Sequence, residues 1–428
     1  MSGCRGIWWP RLLVIIAAAC RTVPSLAAQP EHEPAARRLE LAAALHDGVE
    51  PEAIAADRSR WRQVANADAR PVVVPTSDVI RWGEVPPWPT GPTVLLADGG
   101  VLAGRIVAAD ERTIVVDTAT FGPLTLPSAA VRGWRVSPAI GPGPLAEVRT
   151  SGGHPTRLLL ANGDRVTARG VAWRDGTLSV TPKAGRAEGP ASGTVTIPAA
   201  VVRAVDFAAS EPSRPVAGGL RILVAVMDGS RFAIAALEPT PAVAGAARVS
   251  LALRLPGAAV AAACDADEIL AVAVDGGRAG LLAPREPAAY EQTPVLGPAW
   301  PLARGRTLTG DWPSLRGATA FSALGVHSAG AVRYRLDEPA TRFRAHVAID
   351  DSAATGGSVV VRVLAGDPGH PEREVFSSGV IRGGEPPVRI DTPLPAATEV
   401  QLVVEPADGG DVLDRTLWLD PLVVRAGE

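Results

Sequence analysis

From about residue 39 onward, apolar and polar side chains alternate in short runs, cut by Asp-Gly, Asn-Gly and Gly-Pro pairs. A period of two places one set of side chains on one face of a strand, and the Gly-containing pairs supply the tight turns that join strands into hairpins. The pattern predicts an all-β protein. It also predicts a series of similar units. Residues 93–137 read as a strand, the turn Asp98-Gly99, the strands VLAGRIVAA and TIVVDT, a turn at Gly122-Pro123, LTLP, and a closing run from Val131. A related order begins near residue 157, with Asn162-Gly163, TLSV, TVTIP and AVVRAVDF. It begins again at Leu220, with ILVAVMDGSRFAIAA and SLALRLP, and a more divergent version holds Asp47-Gly48, PVVVP and SDVIRW.

The spacing of turn and proline supports a repeat. It is 28 residues from Asp47 to Pro75, 29 from Asp98 to Pro127, 36 from Asn162 to Pro198 and 28 from Asp228 to Pro256. A glycine-rich insertion at 183–193 accounts for the longer third copy. The expected organisation is β repeats at 39–90, 91–140, 155–210 and 218–279, with a different domain at 280–426. About five short strands per unit bury their apolar faces by curling into small barrel-like bodies, with a weak similarity to Sm-like and SH3-like barrels. Each such body has a thin core and gains by packing on its neighbours.

Beyond residue 280 the strands lengthen and the repeat is lost. VRYRL, FRAHVAI, SVVVRVL, VRI, EVQLVV and LWLDPLVV alternate between turns, which predicts an antiparallel β-sandwich or jelly roll.

Composition then narrows the functional classes. Hydrophobic residues are 47% and charged residues 20%, as in a packed globular protein. Arg5 and Arg11 precede an unbroken apolar run at 12–19, and Ser25-Leu26-Ala27-Ala28 supplies small residues for cleavage. Residues 1–28 are therefore expected to be a signal peptide, and the mature chain secreted, periplasmic or in the cell envelope. The apolar run is too short to span a bilayer, and no second candidate follows it. Lipid anchoring through Cys20 lacks the large aliphatic residue expected three places earlier. Cleavage would remove Arg5, Arg11 and Arg21 and no acid from a chain of net charge −3, leaving it more acidic. Nucleic acid is not an expected partner of such a chain. Cleavage would leave Cys264 alone, with no internal disulfide and no cysteine-based zinc site.

The C-terminal segment resembles the NPCBM family of carbohydrate-binding modules, which are galactose-binding-like jelly rolls. The matching residues are Gly325-Val326-His327-Ser328, Tyr334-Arg335-Leu336, Phe343, Ile349-Asp350-Asp351, 359–363, Ser378-Gly379, Asp408, Asp411, Trp418 and Asp420. The family's closing stretch has an acidic-His-x-acidic-Trp arrangement. Here it reads Asp414-Arg415-Thr416-Leu417-Trp418, so Arg415 stands at the histidine and Leu417 at the second acid.

The resemblance implies a non-catalytic, glycan-binding module. A sugar site needs an aromatic face for C–H groups and a few polar groups aimed at hydroxyls. Trp312, Tyr334 and Trp418, with Trp300, are the stacking candidates. His327 and Arg415, with Arg333, Asp350 and Asp351, are the polar ones. Core packing competes for Trp418 and Tyr334, and a structural hydrogen bond for His327. Asp350, Asp351, Asp408 and Asp411 supply oxygens for a structural calcium, the one cofactor the resemblance suggests; solvated acidic loops are the alternative. No Gly-x-Ser-x-Gly elbow, His-Glu-x-x-His, phosphate loop or dinucleotide fingerprint occurs, so no enzyme and no catalytic residue is expected. An envelope scaffold with an envelope protein as partner is the alternative function.

Overall fold

In a computed structural model the alternating runs form antiparallel strands, and the only helical elements among the described residues are five single-turn 3-10 helices. The described residues are 37–66, 69–136, 141, 156–174, 176–182, 193–207, 219–243, 246–255, 258–295, 297–367 and 373–426. The expected leader at 1–28, Cys20 and most of the glycine-rich insertion lie outside them. No helix among the described residues is long and apolar enough to cross a membrane.

Strands from Leu39 to Asp275 make one hydrogen-bonded system, and strands from Ala279 to Arg425 make a second. In the first, one order of elements recurs four times. Its clearest instance is Thr93–Leu96, Val101–Ala103 continuing into Arg105–Ala109, Thr113–Thr118, Gly122–Pro127, a 3-10 turn at Ser128–Ala130, and Val131–Arg135. The fifth strand returns to pair with the first, Trp134 opposite Val94. The second strand pairs with the first before Gly104 and with the third after it. A Cβ at Gly104 would lie 2.7 Å from the Asp117 carbonyl, so glycine permits the bend that curls the sheet. Gly99, at φ +93°, closes the first hairpin.

Two details differ from the spacing argument. In the fourth unit the residue before the 3-10 turn is Asp265, not Pro256. The middle strands there extend to Arg231–Val243, Ala246–Leu255 and Ala258–Asp265, and Pro256 itself lies outside the described residues. In the first unit Asp47-Gly48 interrupts the second strand, between Leu45–His46 and Val49–Ile54, and the first hairpin turns through residues 42–44.

The units associate in nested pairs. Val131–Arg135 of the second pairs with Val202–Asp206 of the third, and Val79–Gly83 of the first pairs with Ile269–Asp275 of the fourth. A shared apolar core runs through all four, from Leu39 to Val274.

The second system is a two-layer sandwich around Tyr334, Phe343 and Trp418. The runs VRYRL and FRAHVAI, expected as separate strands, are one element, Gly330–Ile349, and VRI and EVQLVV are joined in Val388–Pro406. Register shifts between Arg335 and Arg342 bend the first. Its early half pairs with Val400–Val404 territory in one layer, and its later half pairs with Arg415–Arg425 in the other. Each long strand thus crosses from one layer to the other.

Candidate functional site

At one end of the sandwich, Ala323–His327 finishes beside the start of Arg415–Arg425, with His327 opposite Arg415. His327 is only 4% exposed, and the Trp300 indole lies parallel to its ring, 5.2 Å away at 2°. Gln292 holds this stack in place: its Oε1 accepts from the Trp300 amide at 3.0 Å, and its Nε2 donates to the Ser328 carbonyl at 3.1 Å. The Tyr290 hydroxyl donates to the Trp300 carbonyl at 2.8 Å, and burial pushes its pKa up to about 12. Burial lowers the His327 pKa, against the opposing pull of the Ser328 backbone, Asp411 and Asp414. Burial raises the Asp414 pKa, against the Ser358 amide and the Ser328 side chain, and His327 Nδ1 is buried without a hydrogen-bond partner. The Arg415 guanidinium, half-buried, donates to Ser352 Oγ at 2.9 Å. Val295, Val412 and Leu413 are exposed on the neighbouring loops.

The other candidates go elsewhere. Tyr334 and Trp418 are fully enclosed, and Trp418 meets Phe343 edge-on at 6.3 Å. Both occupy inward positions of alternating strands, so neither ring face can reach a ligand; this corrects their candidacy as stacking residues. Trp312 is half-buried against Trp88, with ring centroids 4.6 Å apart, so one of its faces is already covered. Arg333 lies on the outer face, 3.4 Å from Glu399.

The four acids proposed for calcium do not converge. Asp350 caps the turn Asp351–Ala353 by accepting from the Ser352 amide, and burial raises its pKa. Asp351 accepts from the Arg316 amide, Asp408 pairs with Arg382 at 2.7 Å, and Asp411 accepts from the Val295 amide at 2.7 Å. Among the described residues no three His, Cys, Asp or Glu side chains are grouped so as to hold a metal ion. Each carboxylate instead contacts a loop backbone amide or an arginine.

Leu417, at the family's acidic position, is buried in an apolar cluster with Leu315, Ala320, Ala323, Ala348 and Leu419. Sequence reasoning missed the joint beside it. Arg231, 3% exposed, donates to the carbonyls of Pro86, Pro87 and Ala320 and lies 3.5 Å over the Trp88 ring. Trp88 Nε1 in turn donates to the Pro313 carbonyl at 2.8 Å. These partners are far apart in the chain, and no local pattern marks them.

A two-layer antiparallel sandwich with bent, shared strands and a polar end belongs to the class of jelly-roll modules. Residues 296–424 match the NPCBM/NEW2 domain. A protein of Renibacterium salmoninarum that carries the name of an endo-alpha-N-acetylgalactosaminidase is 35% identical over 104 residues, 24% of this chain. The match spans only 7% of that protein's length. A CBM51 module from Clostridium perfringens, solved in complex with methyl-galactose, is 17% identical; the alignment covers 34% of this chain and 99% of that one, with a TM-score of 0.29. Tandem CBM51 modules of a Streptococcus pneumoniae family 98 glycoside hydrolase are 11% identical over 78% of this chain and 88% of theirs, with a TM-score of 0.30.

Proposed function

We propose that the sandwich binds a glycan at the end formed by Trp300, His327 and Arg415, and that the chain is exported and acts without a reactive centre of its own. The observation that carries the reading is the Trp300–His327 stack, set among loops and flanked by a half-buried arginine. A rigid indole backed by an imidazole offers one flat face to the C–H groups of a sugar ring, and Arg415 supplies donors for its hydroxyls. The NPCBM/NEW2 match over this segment supports carbohydrate as the ligand class. The leader-like residues 1–28 support export.

Titration of the full mature chain with methyl-galactose by calorimetry, with and without calcium, tests the proposal. Weak binding is expected, near the millimolar level, or about −4 kcal/mol. Trp300→Ala is expected to abolish it, and Arg415→Ala to weaken it. Absence of binding to galactosides and bulk polysaccharides would favour the second reading, an envelope scaffold whose sandwich has kept the fold and lost the sugar. One observation favours that alternative: Leu417 turns the family's second acidic position into apolar packing.

A further inference from the structure

Beside the joint between the two sheet systems, charges from four strands gather on one outer face. In Gly330–Ile349 the inward residues Phe343, Ala345 and Val347 alternate with Arg342, Arg344 and His346, which therefore point outward. The strand Val388–Pro406 places Asp391 opposite Arg344 and Arg389 opposite His346. From the first β unit, Glu40 of Leu39–Leu41 stands opposite Arg81 of Val79–Gly83, and Glu40 also meets Arg344.

Four guanidiniums share two carboxylates. Asp391 accepts from Arg342 and from Arg344 Nε at 3.2 Å, and Arg389 lies 3.7 Å from it. Glu40 pairs with Arg344 and, at 3.4 Å, with Arg81. Among the described residues no other carboxylate pairs with these arginines, so cations outnumber anions here in a chain whose net charge is −3. The two carboxylates are recessed, at 19% and 23% exposure, whereas Arg81, Arg342 and Arg389 are 49%, 44% and 69% exposed. What faces solvent is a layer of guanidiniums resting on acids. His346, within the layer, registers the field: burial lowers its pKa, and Arg81 and Arg389 lower it further.

We propose that this layer binds a linear acidic polysaccharide, at a site separate from Trp300, His327 and Arg415. Guanidinium forks suit the paired oxygens of carboxylate and sulfate. Arg81 and Arg389 stand beyond good hydrogen-bond length from their acids and have donors free for such groups. Length favours a chain over a small anion. Arg342 and His346 are four residues apart, about 13 Å along an extended strand, and Arg81 lies beyond Glu40 on a neighbouring element. One sulfate or one sugar ring cannot engage all of these. Net charge favours a single thin polymer over an anionic bilayer or duplex nucleic acid. Those present charge over a broad area and would also face the acidic remainder of the molecule, whereas one thin chain touches only the strip. The site needs both sheet systems, because Glu40 and Arg81 come from one and the other charges from the second. It lies away from Trp300: Arg344 is five residues before Ile349, which pairs with Thr416 at that end.

The test uses the full chain in anisotropy titrations with two fluorescein-labelled polymers, oligogalacturonate for carboxylate and dextran sulfate for sulfate, and neutral dextran as the control. Binding of at least one acidic polymer, weakening as salt rises, is expected, and the tighter of the two names the anionic group. Arg81→Gln with Arg389→Gln, at the two most exposed positions of the layer, is expected to lower affinity about tenfold. Arg105→Gln with Arg174→Gln removes the same charge from exposed positions in the second and third units, and is expected to leave binding unchanged, as is Trp300→Ala. The proposal is overturned if neither acidic polymer binds better than dextran, or if the Arg81 and Arg389 pair causes no more loss than the Arg105 and Arg174 pair. A loss in Trp300→Ala overturns it as well, since the polymer would then occupy the other end. So does tighter binding of phosphatidylglycerol vesicles or duplex DNA through Arg81 and Arg389, since the ligand would then be a membrane surface or a nucleic acid. Methyl-galactose titration of each variant reads the Trp300 end separately, so failure here is distinguishable from failure of the glycan proposal.

Discussion

Arg231 shows how much one side chain can hold together. Its burial lowers the guanidinium pKa to about 9, yet it has no close carboxylate; carbonyls and the Trp88 face receive it, with Asp420 contributing at longer range. Arg231→Met would leave those carbonyls unsatisfied and is expected to lower unfolding stability by about 2–4 kcal/mol, read from urea denaturation. Lysine is not expected to restore it, because a point charge cannot span three carbonyls. Asp420 carries a pH signature. Burial raises its pKa to about 6, against the Ser322 amide and the attraction of Arg81 and Arg231. The folded state thus holds a proton more tightly than the unfolded one. This contribution to stability is full below about pH 4 and is lost as pH rises through about 6, a fall of about 2–3 kcal/mol. Asp420→Asn keeps the acceptor for Ser322 and suits the backbone there, at φ +44°. It is expected to raise the melting temperature at pH 8 and flatten the fall between pH 4 and 6, measured by scanning calorimetry.

At the scale of elements, bulges decide what a strand can serve. Alternation marks VRYRL and FRAHVAI as strand but says nothing about whether the chain turns between them. The register shifts carry Gly330–Ile349 across without a turn, so its outward positions change parity, from Arg333 and Arg335 to Arg342 and Arg344. The same limit applies to the closing strand. Trp418 is inward by alternation, and the fold places it there. Leu417, one residue earlier, faces the other way and is buried as well, because the 306–321 segment covers that face. Leu417→Asp restores the family's residue type but puts a charge among Leu315, Ala348 and Leu419. It is expected to cost about 3 kcal/mol or more, measured by denaturant melts, and to yield no gain in sugar binding.

At the scale of the whole molecule, residues 36–428 behave as one compact unit, and the contacts between its two sheet systems are specific. Trp88 with Trp312, Arg231 with Ala320, and Glu40 with Arg344 each tie the β units to the sandwich. A thin-cored set of small units gains from this backing. A single calorimetric transition is expected for residues 36–428. Trp88→Ala, which removes the ring under Arg231 and beside Trp312, is expected to split it into two. A single undiminished transition in that variant would show that the joint contributes little to cooperativity.

Hydrophobic alternation and turn residues were sufficient to read an all-β chain ending in a sandwich, because strand period and hairpin chemistry are local properties. The His327 loop end and the covered identity of Trp418 were also within reach, the first through the motif around Gly325, the second through strand parity. Three-dimensional packing alone decided that the four acids engage different partners, and that Arg231 joins residues more than eighty positions apart. These depend on which distant surfaces meet, and burial and hydrogen-bond pairing between remote segments leave no periodic trace in the order of residues.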